Sequence, residues 1–74
     1  MQKKMKYSPP DYVIKVFGGV RKTSRHVGRS ATAVSIWRKK GWIPSSAQRM
    51  IYNIAQRDGL DITPDDLMNG RMVY

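Results

Sequence analysis

The chain has 74 residues and no cysteine, so it has room for one small domain with one core and none for a disulfide framework or a thiolate metal site. Fourteen Lys and Arg against five Asp and Glu give a formal charge of +9 and a pI near 10.4, a balance that favours a polyanionic partner. Residues 1–57 carry thirteen basic residues and one acid, Asp11, for a net of +12, whereas residues 58–74 set Arg71 against Asp58, Asp61, Asp65 and Asp66 for a net of −3. The apolar stretches are only a few residues long, so neither a membrane span nor a signal peptide is expected and the expected location is the cytoplasm.

Residues 1–7, rich in lysine, read as a basic, flexible N-terminal arm. Ser8-Pro9-Pro10-Asp11 then supplies a capping hydroxyl, proline at the first turn and a carboxylate at the positive helix end, which predicts a first helix over Pro9 to Phe17. Val13, Ile14 and Phe17 share its core face, and Gly18-Gly19 stops it. A second helix over about 20–27 turns Val20, Thr23, Ser24 and Val27 inward and Arg21, Lys22, Arg25 and His26 outward. Gly28 follows where a helix end needs a residue with positive φ.

Ser30 is a good cap for a third helix over about 31–40, ended by Gly41. At 100° per residue Val34 and Trp37 project together, and Thr32, Ser35, Ile36 and Lys39 point the other way. After Trp42-Ile43-Pro44, Ser45-Ser46 is expected to cap a fourth helix running to Asp58, with an apolar stripe of Ala47, Met50, Ile51, Ile54 and Ala55. Thr63-Pro64-Asp65-Asp66 repeats the start signal for a short last helix through Met68. Residues 69–74 are expected to form a frayed tail, the alternative being an edge strand, Arg71 to Tyr74, offered to a partner. Both Trp37 and Trp42 are expected in the core. The result is an all-α, compact bundle of four to five short helices, with residues 8–68 as its folded domain.

The run from Val20 to Trp37 contains no acid and reads as helix, glycine turn, helix, the arrangement by which many small proteins place a helix in the DNA major groove. Val27-Gly28 at the turn, Val34 six residues beyond that glycine, Trp37, and the string Trp37-Arg-Lys-Lys-Gly41-Trp-Ile43-Pro44 resemble the small helix-turn-helix regulators of the phage Cro and YdaS-like type. Phe17-Gly18-Gly19 and Asp61-Ile-Thr-Pro-Asp-Asp-Leu67 extend the likeness over most of the chain, from about Tyr12 to Met68. The chain departs from that pattern at Ser24, where alanine is preferred, and at Arg29, where an apolar residue often seals the turn. Ser24 is expected to bond back to its own helix, and Arg29 either to snorkel into solvent or to touch DNA. The resemblance implies a DNA-binding transcriptional regulator, acting as a repressor of phage or prophage origin in the bacterial cytoplasm. It also implies a homodimer, formed in solution or only on DNA; no cofactor and no small-molecule ligand are expected, since 74 residues leave no room for a separate ligand-sensing domain.

Recognition divides into contacts that read bases and contacts that hold phosphates. The helical wheel and the resemblance together give Arg29, Ala31, Thr32, Ser35, Ile36 and Lys39 as the reading set: hydroxyls suit several bases, Ala31 and Ile36 suit the thymine methyl, and Arg29 or Lys39 suits guanine. The holding set is Arg21, Lys22, Arg25, Ser30, Arg38, Lys40 and Arg49. His26, the one histidine, has no companion ligand and reads as a surface or phosphate-proximal side chain. No Ser/His/Asp or Lys arrangement has catalytic spacing, so an enzyme is not expected. Two rival readings remain at this level: an architectural or excisionase-like factor that bends DNA, and a protein-interaction module such as a phage inhibitor or antitoxin.

Overall fold

The computed structural model describes residues 5–73; residues 1–4, which include Lys3 and Lys4 of the expected arm, and Tyr74 lie outside it. The elements in chain order are β1 (Met5–Tyr7), α1 (Pro9–Phe17), α2 (Val20–Val27), α3 (Ala31–Lys40), α4 (Ser45–Asp58), α5 (Pro64–Asn69) and β2 (Arg71–Val73).

Local chemistry sets most helix boundaries. The Ser8 hydroxyl accepts the Asp11 amide at 3.4 Å, and two prolines occupy the first turn of α1. Ser30 accepts the Ala33 amide at 3.1 Å to open α3. A reciprocal capping box opens α5: the Asp66 amide donates to Thr63 Oγ1 at 3.2 Å, and the Thr63 amide donates to Asp66 Oδ2 at 2.8 Å. The start of α4 differs from expectation. Pro44 occupies the cap position, and neither serine caps, because Ser45 is already helical. Proline's fixed, extended entry replaces the hydroxyl, and Gln48 Nε2 donates to the Ile43 carbonyl at 2.7 Å across the junction.

The helices enclose one core built on Val13, Phe17, Val27, Val34, Trp37 and Ile51, closed by Ile62 and Leu67 from the C-terminal segment. Three positions depart from the expected core. Tyr12 is buried, its hydroxyl donating to the Asp61 carbonyl at 2.7 Å. Met50 lies at the solvent edge of the α4 stripe. Trp42, expected inside, is 52% exposed, since the turn after Gly41 sends Ile43 inward and leaves the indole outside.

The ends also depart from an all-α reading. β1 and β2 pair antiparallel, with Met5 opposite Val73, Lys6 opposite Met72 and Tyr7 opposite Arg71, so residues 5–7 and 71–73 form a ribbon with each other where a flexible arm and a loose tail were expected. A polar node holds this ribbon. The Arg71 guanidinium makes paired hydrogen bonds to Asp66 at 2.6 and 2.7 Å and to Asp61 at 3.0 and 3.2 Å, and it lies 4.7 Å from the Tyr12 ring centroid. Gly70 passes directly against the Tyr7 carbonyl, where a Cβ would collide with backbone, so only glycine lets the strands close.

Candidate nucleic-acid interface

α2 and α3 pack on each other through the turn at Gly28. Thr23, fully buried, satisfies its hydroxyl by donating to the Gly19 carbonyl at 2.8 Å. Ser24 does not bond back to its own helix. Its hydroxyl donates forward to the Arg29 carbonyl, and the Gly28 and Arg29 amides converge on the Ser24 carbonyl. Three hydrogen bonds centred on Ser24 thus close the turn, two accepted by its backbone carbonyl, which any residue supplies, and one donated by its hydroxyl, which alanine lacks.

With Val34 and Trp37 anchored in the core, the opposite face of α3 is fixed in solvent. Thr32, Ser35, Ile36 and Lys39 are all exposed on it, and Ala31 and Arg29 are half-buried at its beginning. Ile36 is 46% exposed, an aliphatic side chain flanked by two hydroxyls and a lysine. The Ser30 hydroxyl is already engaged by the Ala33 amide, so that side chain has limited capacity for an external acceptor.

Among the expected holding residues, Arg21, Lys22 and Arg25 are exposed on α2, and Arg38 and Lys40 at the end of α3. Arg49 is exposed on α4, in a groove with Ser46, Met50 and Asn53. Arg38 is not free: its Nε lies 3.3 Å from Asp11 Oδ1, in a pair exposed on both sides. Lys40 Nζ sits 5.6 Å from the Trp42 ring centroid, which makes the indole part of this end of α3. Sequence reasoning missed that placement, and the Trp42-Ile43 pair offered no signal as to which of the two faces in.

The acids are held among themselves and their partners. Burial pushes the Asp66 carboxyl up, but hydrogen bonds from Arg71 and Thr63 outweigh it and hold the group below the ordinary carboxylate range. Hydrogen bonds from Arg71 lower Asp61, and the Arg57 guanidinium lowers Asp58. Asp65 accepts a hydrogen bond from Asn69 at 2.8 Å. Neither α2 nor α3 contains an acid, and among the described residues only Arg38 of their Lys and Arg side chains is paired with a carboxylate, so Arg21, Lys22, Arg25, Lys39 and Lys40 leave positive charge uncompensated on those two helices.

Among the described residues, no helix is long and apolar enough to cross a membrane, and no group of three His, Cys, Asp or Glu could hold a metal. Compared with known proteins, the chain matches no protein family, no curated protein and no solved structure.

Proposed function

We propose that the chain binds double-stranded DNA in a sequence-dependent way, inserting α3 into the major groove as the second helix of a helix-turn-helix, and that it acts as a transcriptional repressor of phage or prophage type. The observation that carries this reading is the outward face of α3, where Thr32, Ser35, Ile36 and Lys39 stand exposed over two helices that contain no acid. Hydroxyls at Thr32 and Ser35 donate to or accept from base edges, Ile36 packs on a thymine methyl, and Lys39 or Arg29 contacts guanine. Arg21, Lys22, Arg25 and Lys40 hold phosphates on either side, and Arg38 joins them on leaving its exposed, weak pair with Asp11. Few long polar side chains lie on the face, so DNA shape supplies part of the selectivity. Two copies on half-sites about 34 Å apart, one DNA turn, is the geometry that such a motif uses.

A salt series on a random duplex tests the electrostatic half of this reading. If two copies neutralise about eight phosphates, log affinity falls against log salt with a slope of roughly −7; a slope near zero would contradict it. Trp42, an exposed aromatic of the kind that anchors protein interfaces, favours a second reading, a protein-interaction module. Complex formation with a protein that survives high salt and fails on Trp42→Ala would support that reading instead.

A further inference from the structure

Phe17, at the end of α1, and Lys22, Arg25 and His26, on α2, line one open cleft. Its three polar side chains are all basic, and among the described residues none is drawn into an ion pair with a carboxylate within 4 Å and no acid lines the cleft. The His26 ring is stacked on Phe17, centroids 5.0 Å apart and planes 26° from parallel. Stacking covers one face of the imidazole, which is otherwise exposed, and an aromatic face stabilises a cation laid upon it. Lys22 is held against the α1–α2 junction, its stem next to Gly18. Asp58, at the end of α4, is the acid whose carboxyl His26 contributes to lowering, and its oxygens are occupied by Arg57 at 2.9 and 3.2 Å.

Two cations and an imidazole lining one cleft beside an aromatic ring suit an oxyanion with several acceptor oxygens. We infer that this cleft seats a phosphate of the DNA backbone, with His26 as a further binding residue whose protonation accompanies binding. The inference rests on the DNA-binding reading and adds to it a proton-linked contact on α2, separate from the base-reading face of α3. A phosphate in contact with an imidazole favours the charged form of the ring, so the contact strengthens as pH falls.

The test is fluorescence anisotropy of the full chain on a random 20-base-pair duplex, in salt series at pH 6 and pH 8, with His26→Gln and His26→Phe beside the unaltered protein. His26→Phe keeps an aromatic ring on Phe17, and circular dichroism verifies that each variant is folded. The expected result is a salt slope at pH 6 that is smaller in both variants by about 0.9 for each bound copy, about 1.8 for two, the loss of one phosphate contact per copy, together with a severalfold tightening from pH 8 to pH 6 that only the unaltered protein shows. DNA binding with the same slope and the same pH response in all three would overturn the proposal and leave the DNA reading standing. Absence of binding to any duplex at either pH would overturn the DNA reading, and the proposed seat with it.

Discussion

Arg71 grips Asp66 through both carboxylate oxygens, Nε to Oδ1 at 2.7 Å and Nη2 to Oδ2 at 2.6 Å, and Asp66 is 3% exposed. The same carboxylate caps α5 through Thr63, so one buried charge ties the last helix to the last strand. Removing Arg71 leaves that charge without its cation, the situation in which a buried pair is most costly to break. Arg71→Ala is expected to destabilise the fold by about 2 to 3 kcal/mol, below the usual cost for a fully buried pair because the arginine is partly exposed. That is a large share of a small domain's stability. Urea unfolding measures it, and a midpoint within error of the parent's would show that the node is ornamental.

The same node sets a pH dependence. Asp61 and Asp66 have carboxyls lowered in the folded state, so the stability they contribute is complete above the unfolded carboxylate range near pH 4 and is lost as pH falls through their lower folded values. At the other extreme, burial raises the Tyr12 hydroxyl; its contribution is complete below about pH 10 and is lost as pH rises beyond that. Thermal melts from pH 2 to pH 11 should therefore show a plateau with both edges falling. In Asp66→Asn the acid edge should be shallower, and an unchanged acid edge would point to other carboxylates.

Gly70 and Gly59 both have positive φ, +85° and +67°, but their surroundings differ. A Cβ at Gly59 meets open space, whereas one at Gly70 meets the Tyr7 backbone. Gly59→Ala should cost about 1 kcal/mol from backbone conformation alone. Gly70→Ala should cost more and selectively expose the amides of β1 and β2 to hydrogen exchange. Equal costs for the two would contradict the close approach of the strands.

The two tryptophans should separate cleanly. Trp37 is core and Trp42 is 52% exposed, so Trp37→Ala is expected to cost about 3 to 5 kcal/mol and Trp42→Ala roughly 0.5 kcal/mol or less. Chemical denaturation gives both values, and acrylamide should quench Trp42 in preference. A large loss at Trp42 would mean that the indole packs.

Helix bounds were legible because their signals are local: Ser8-Pro9, Gly28, Ser30 and Thr63-Pro64 act within a turn of where they stand. The outward set on α3 was legible for the same reason, since Val34 and Trp37 fix the helix phase. The ribbon was not. Its strands have three residues each, too few for a periodicity of two to register, and Tyr7 meets Arg71 across nearly the whole chain. Neither was the Arg38–Asp11 pair, which joins α3 to the first turn of α1 and depends on how those helices cross. Trp42 and Ile43 are adjacent apolar residues in a turn, and only the packed structure decides which is inside.

The central claim is that Thr32 and Ser35 on α3 read sequence while the surrounding cations hold the backbone. Binding of the protein and of the double variant Thr32→Ala/Ser35→Ala to DNA flanking its own gene, each against a random duplex of equal length at physiological salt, tests this most directly. The account predicts a preference on the order of a thousandfold for the flanking DNA, lost in the double variant while affinity for the random duplex is retained. Equal binding to both duplexes by the unaltered protein, or a preference that survives the double substitution, would contradict it.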